Sequence, residues 1–258
     1  MLKKLSSFLY KIILFLIKIF YPKIKVYGVE NLPKDPCIIA ANHTQMNGPI
    51  CAEIYFPRER YTWCAGEMMH LKEVPHYAFE DFWSQKPKYT HPFYKMLSFI
   101  IAPLSVILFN NAKTIGVYRD KRIMHTFKET LKRLDEGNDI VIFPEQDVKH
   151  NHILYDFQEG FVDIARIYYK RYGKELSFVP VYIAPDLKEM HIGKSISFNG
   201  EADISCERKR ICKYLMDEIT DIAVNLPRHT VVPYRNIPKK HYPSNKCYHL
   251  IENVRHRA

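Results

Sequence analysis

Three short polar signatures in this chain hold side chains able to do chemistry. Asn42-His43 closes the apolar run Cys37-Ile38-Ile39-Ala40-Ala41. Arg119-Asp120 follows Lys113-Thr114-Ile115-Gly116-Val117-Tyr118, and Glu145 follows Asp139-Ile140-Val141-Ile142-Phe143-Pro144. Histidine is the side chain best suited to take a proton near neutral pH. Taken alone, His43 reads as a capping or core histidine, because a lone histidine is weak evidence of function. What raises it is company: each of the three signatures ends a predicted strand.

The elements that position these residues follow from the same pattern. The stretch Lys25–Pro33 reads as a short strand and then a turn, and strands are predicted over Cys37–Ala41, Tyr61–Ala65, Lys113–Tyr118, Asp139–Phe143, Ser177–Ala184 and Met190–Phe198. Between them, Ile123, Phe127, Leu131 and Leu134 share one helix face, and Gly137 is a natural stop. Further helices are predicted up to about Tyr169 and over Arg208–Leu226. Strands alternating with helices give an α/β domain, here a mixed central sheet flanked by helices. In open α/β sheets ligands bind beyond the carboxyl ends of the strands. If the three signatures lie at one sheet edge, they line a single site.

Composition bounds the partners. The chain has 258 residues, 47% hydrophobic and 26% charged, enough for one generous domain with appendages. Its net charge of +10 favours phosphate-bearing partners. No zinc-finger spacing or RNA-binding aromatic signature accompanies that charge, so no nucleic-acid partner is expected. The six cysteines form no C-x-x-C pair, which fits free thiols in a reducing compartment. The N-terminal stretch Phe8–Tyr21 is apolar apart from Lys11 and Lys18, and Lys4, Lys11 and Lys18 fall on nearly one helix face. Fourteen residues is short of the roughly 20 needed to span a bilayer. Residues 1–22 are therefore read as an amphipathic membrane-associating helix whose lysines reach lipid phosphates. A buried core helix and an uncleaved signal are the competing readings; the lysines and the lack of a small-residue cleavage site weigh against the signal. Phe93–Phe109 is a second apolar segment, interrupted by Lys95 and Pro103, that suits either core or a membrane-facing surface. Residues 227–258 form a basic tail with Pro227, Pro233, Pro238 and Pro243, a second candidate for membrane contact.

Taken in order, the signatures resemble the glycerophospholipid acyltransferase family, which includes the 1-acyl-sn-glycerol-3-phosphate acyltransferases. Val26-x-Gly28-x-Glu30-Asn31-Leu32-Pro33 followed by Asn42-His43 is similar to its first block, and Val117-Tyr118-Arg119-Asp120 to its second. Phe143-Pro144-Glu145 with Gly160 downstream resembles the third, and Phe178-Val179-Pro180-Val181-Tyr182-Ile183 the fourth. The resemblance covers roughly residues 24–200 and places the acyltransferase-like α/β domain at 23–226. It implies a membrane-associated O-acyltransferase at the cytoplasmic face, working in phospholipid synthesis. His43 would be the general base, taking a proton from a glycerol hydroxyl that attacks an acyl thioester. Arg119 would bind the acceptor's phosphate, and Glu145 and Gly160 would help hold the lysophosphatidate-like acceptor. The donor would be acyl-CoA or an acyl-carrier protein, with no metal and no other cofactor.

Two departures qualify that expectation. The family's first block places an aspartate five residues after the histidine, and here Gly48 stands there. Loss of a catalytic histidine's carboxylate partner can cost ~10⁴ in rate. Gln45 and Asn47 are the expected substitutes for supporting His43. The third block normally continues with glycine, and here Gln146 follows Glu145, leading into a loop with Asp147, His150, His152 and Asp156. That loop is another possible source of a partner for His43, and a weaker candidate for metal ligation. The competing function is a noncatalytic lipid-binding protein of the same fold.

Overall fold

The computed structural model describes residues 2–246. In chain order its elements are α1 (Leu2–Phe20), β1 (Lys25–Tyr27), β2 (Cys37–Ala41), α2 (Asn47–Tyr55), β3 (Arg60–Ala65), α3 (Val74–Ala78), α4 (His91–Asn111), β4 (Thr114–Val117), α5 (Ile123–Asp135), β5 (Asp139–Ile142), β6 (Glu145–Lys149), β7 (Tyr155–Phe157), α6 (Asp163–Tyr172), β8 (Ser177–Ala184), β9 (Glu189–Ile192), β10 (Ile196–Ser197) and α7 (Ile204–Asn225). They form two units, one of residues 2–22 and 61–130, the other of residues 23–60 and 131–246. Residues 61–130 thus cluster with the N-terminal helix.

The larger unit holds a mostly parallel sheet in the order β1-β9-β8-β2-β5. β2 runs parallel to both β5 and β8, with Ile39 opposite Val141 and Val179. Every residue of β2 and β5 is buried, which is why β2 and the Ile140–Ile142 part of β5 read as apolar runs without alternation. β9 returns antiparallel to β8 and pairs in parallel with β1. Pro180 sits inside β8, where a missing N–H would ordinarily break the ladder. Here β8 changes neighbours from β9 to β10 beside it: the pairing with β9 stops at Val181 and that with β10 starts at Phe178. The predicted strand Met190–Phe198 is therefore two strands separated by a turn at Gly193, whose N–H donates to the Pro180 carbonyl at 2.9 Å. α7 packs on β8, burying Ile211, Leu215 and Ile219.

The amino ends of β2 and β5 are pinned by charge. Asp139, fully buried, accepts the Cys37 N–H at 3.0 Å, and Arg58 Nε donates to its other oxygen at 2.7 Å. A buried carboxylate is stable only when paired in this way. At the opposite, carboxyl end of β2, Asn42 acts as a surrogate strand residue. Its amide donates to the Ile183 carbonyl at 3.0 Å and its oxygen accepts the Ile183 N–H at 2.7 Å. The strand is thereby carried one residue past its last ladder pair, and the chain leaves the sheet at His43.

Residues 227–246 depart most from expectation. They have little regular structure, yet they fold back onto the larger unit. Asn245, fully buried, accepts the His229 N–H and donates to the Ala223 carbonyl at the end of α7. His229 hydrogen-bonds the buried Tyr182 hydroxyl at 2.8 Å. Arg235 pairs with Asp147, and Gln45 donates to the Tyr242 hydroxyl at 2.8 Å. Prolines fix an extended path here, and side-chain anchors supply the contacts that strand or helix ladders would otherwise provide. The rest of the predicted tail lies outside the described residues.

In the smaller unit α1 packs along α4, and Asn111 donates to Ser6 Oγ at 2.7 Å. α4 runs through Pro103 and buries only small residues, Ser98, Ala102 and Ser105. Phe93, Met96, Phe99, Ile100 and Leu104 remain exposed, as do Phe8, Ile12, Phe15, Ile19 and Phe20 of α1. Residues 88–111 form a helix long and apolar enough to cross a membrane. β3 and β4 pair in parallel, with Cys64 opposite Gly116.

Candidate active site

β2 delivers His43 and the turn after β5 delivers Glu145, and the two meet within the larger unit. The His43 main-chain N–H donates to Glu145 Oε1 at 2.6 Å, and the Tyr155 N–H donates to Oε2 at 2.9 Å. Glu145 is only 3% exposed, and burial pushes its carboxyl up to about 7 despite those two donors. Its contacts are thus to backbone, and it shapes the loops carrying His43 and Tyr155.

The imidazole of His43 stands between two aromatic rings. Phe143 lies edge-on at 5.2 Å and Tyr234, from the folded-back segment, at 5.7 Å. Burial lowers the histidine's pKa below its ordinary 6.5, which keeps the ring neutral at physiological pH. Backbone groups of Gln45 and His43 oppose that fall without reaching hydrogen-bond geometry. Nδ1 is buried and has no hydrogen-bond partner among the described residues. The residue as a whole is half-buried, so Nε2 is the nitrogen that can meet a substrate.

The loop after His43 explains Gly48. Thr44 and Gln45 both take left-handed backbone angles, with φ of 44° and 55°. For a β-branched residue such as Thr44 this is an outlier that stores ~1–3 kcal/mol. The tight path folds α2 back so that the Gly48 N–H reaches the His43 carbonyl at 3.1 Å. A Cβ on Gly48 would lie 2.3 Å from that carbonyl oxygen and 2.9 Å from the Phe143 ring. In this conformation no side chain fits at position 48, so the expected aspartate is excluded by geometry as well as by sequence.

The expected substitutes do not reach Nδ1. Gln45 turns to Tyr242 and the Arg235 carbonyl, and Asn47 donates to the Thr44 carbonyl at 3.1 Å. In the following loop Asp147 pairs with Arg235, Asp156 accepts from Gln146 and His152 meets the Asn245 carbonyl. Among the described residues no group of three or more His, Cys, Asp or Glu is gathered as a cation site. Gly160 lies exposed in the turn before α6, with open space where a side chain would go.

Arg119 belongs to the smaller unit, just past β4. Asp120 there is paired to Arg122, which also reaches Glu73 at 3.0 Å and lies 4.1 Å from the Tyr118 ring. Arg119 is exposed and makes no ion pair among the described residues; its electrostatic neighbour is Asp81, whose carboxyl burial raises and Arg119 holds back. The adjacent cation and anion of the second signature are therefore not a pair. Phe143 and Tyr234 are the site residues that sequence reasoning missed. Phe143 could have been found as the residue directly after β5, beside the third signature, whereas nothing in the spacing marks Tyr234.

No protein-family model matches the chain, and no curated protein matches its sequence. A similar solved structure is the crystal structure of the 1-acyl-sn-glycerophosphate (LPA) acyltransferase, PlsC, from Thermotoga maritima. It is 14% identical, with a TM-score of 0.48, over 87% of this chain and 80% of that one.

Proposed function

We propose that the protein is a membrane-associated O-acyltransferase using His43 as general base. The observation supporting this is a neutral, half-buried imidazole at the carboxyl end of a wholly buried parallel strand, with one nitrogen accessible. His43 Nε2 takes the proton of an acceptor hydroxyl as its oxygen attacks the carbonyl carbon of an acyl thioester. The tetrahedral intermediate collapses, the C–S bond breaks, and the imidazolium returns the proton to the departing thiolate. The acceptor is a lysophosphatidate-like glycerol phosphate, and the donor is acyl-CoA or an acyl-carrier protein. Arg119, exposed and unpaired in its own unit, suits a phosphate ligand. The apolar surfaces of α1 and α4 with the α1 lysines suit a lipid surface at the cytoplasmic face.

A specific observation favours a second function, lipid binding without turnover. Nδ1 lacks a partner, and position 48 admits no carboxylate. Nothing then fixes the tautomer with its proton on Nδ1, which a base at Nε2 requires. A donor and acceptor panel on purified protein in lipid or detergent, run beside His43→Ala, separates the two. Thioester consumption that needs a lysophospholipid and disappears in His43→Ala supports the enzyme. Tight lipid binding with no turnover across the panel supports the binding protein.

A further inference from the structure

We propose that Tyr234, brought to the site by the folded-back residues 227–246, is a positioning residue that holds the His43 imidazole in its working orientation. The proposal rests on His43 being the base of the function proposed above. It stands on the packing around the ring.

An imidazole whose Nδ1 makes no hydrogen bond must be oriented by something else. The ring is walled on one side by Phe143 and on another by Tyr234, whose planes stand at 63° and 80° to it. Such edge contacts are among the favoured aromatic geometries and resist rotation of the ring they enclose. Phe143 follows β5 directly and is held close to the sheet. Tyr234 depends on its own segment, and that segment is anchored at several points. Asn245 caps the end of α7, Arg235 pairs with Asp147, and Tyr242 hydrogen-bonds Gln45, two residues from His43. Tyr234 also lies 5.6 Å from Tyr155, whose N–H is held by Glu145, so the wall is tied to the carboxylate that sets the His43 backbone. Both ends of the histidine, main chain and ring, are thereby located without a carboxylate on Nδ1.

The test uses the full-length protein in detergent with Tyr234→Phe, Tyr234→Leu and Tyr234→Ala. Two readouts are taken: kcat and KM for acyl transfer, and NMR titration of the His43 ring. Tyr234→Phe keeps the wall and should stay within about twofold of wild type in kcat. Tyr234→Ala should lose about 10- to 100-fold in kcat with KM nearly unchanged, because only the reacting geometry loosens. Its His43 pKa should climb toward the ordinary value of about 6.5 as the ring becomes hydrated. Tyr234→Leu, which fills the space without a planar wall, should fall between, and it replaces the alanine variant if that one does not fold. Wild-type kcat and titration in Tyr234→Ala overturn the proposal. So does a phenylalanine variant as impaired as the alanine one, or a fall in kcat with an unmoved titration. If the wild type transfers no acyl group to any acceptor, the enzymatic reading falls and the His43 titration alone decides the positioning.

Discussion

The main-chain N–H of His43 donates to Glu145 Oε1 at 2.6 Å, so the carboxylate of the third signature sets the backbone of the residue expected to do chemistry. Two signatures a hundred residues apart in sequence become one unit of structure through a single buried carboxylate. The pairing has a pH consequence. Glu145's pKa rises from 4.5 in an ordinary setting to about 7 here. Between these values the folded state holds a proton that the unfolded state has released, so stability falls as pH rises through the window. Wild type should lose on the order of 3 kcal/mol from this group between pH 4.5 and 7. Glu145→Gln should lack that slope and be less stable at acid pH by about 1–3 kcal/mol, because an amide offers one acceptor to two N–H donors. Denaturant unfolding of both proteins across pH checks it; parallel curves would refute the assignment.

His43 has the opposite sign. Its folded pKa lies below 6.5, so the unfolded chain takes up the proton first as pH falls. Stability from this residue is complete above 6.5 and declines below it. Acyl transfer should show an acid limb with its midpoint below 6.5, since only neutral imidazole accepts a proton. His43→Ala should remove both the limb and about 10²–10⁴ of the rate. A limb centred above 6.5 would mean that another group is titrating.

Placing at position 48 the aspartate expected by resemblance should fail. Gly48→Asp places a Cβ 2.3 Å from the His43 carbonyl oxygen, and Gly48→Ala meets the same obstacle. Both should destabilise the protein by about 1–3 kcal/mol and raise activity in neither case. Thermal unfolding and a thioester assay on the two variants decide the matter. An unchanged Tm with faster turnover in Gly48→Asp would show that the loop opens readily.

Membrane binding should depend on the exposed apolar residues of α1 as well as its lysines. Phe8→Asp with Phe15→Asp removes two exposed rings and adds two negative charges. Flotation with vesicles containing anionic lipid should fall at least tenfold for this variant. Reversal of Lys4, Lys11 and Lys18 to Glu should weaken binding chiefly at low salt. Equal flotation of all variants would assign the membrane contact elsewhere.

The buried strands were legible because burial on both faces leaves one kind of residue in them, and Ile38–Ala41 and Ile140–Ile142 can be read as little else. Lys113–Tyr118 was read correctly as a strand leading into the second signature. Other boundaries were lost where partners change: Gly193 breaks one predicted strand in two because β8 exchanges neighbours there, a fact of pairing that is invisible in either segment alone. The backbone contacts of Glu145 were likewise hidden. A carboxylate after a strand reads the same whether it faces a ligand or two backbone amides.

By itself, the sequence determined the α/β alternation, the amphipathic N-terminal helix and the candidacy of His43, since each rests on periodicity or local chemistry. Only the tertiary structure decided what surrounds the histidine. Its Nδ1 is left without a hydrogen bond, its rotation is limited by Phe143 and Tyr234, and its neighbour Gly48 is required by a carbonyl in the way. Those are contacts between residues up to 191 positions apart, His43 to Tyr234, and one of them runs through a proline-rich tail that predicts no regular structure. Non-local packing is set by chain closure and not by local propensity, so no window along the sequence contains it.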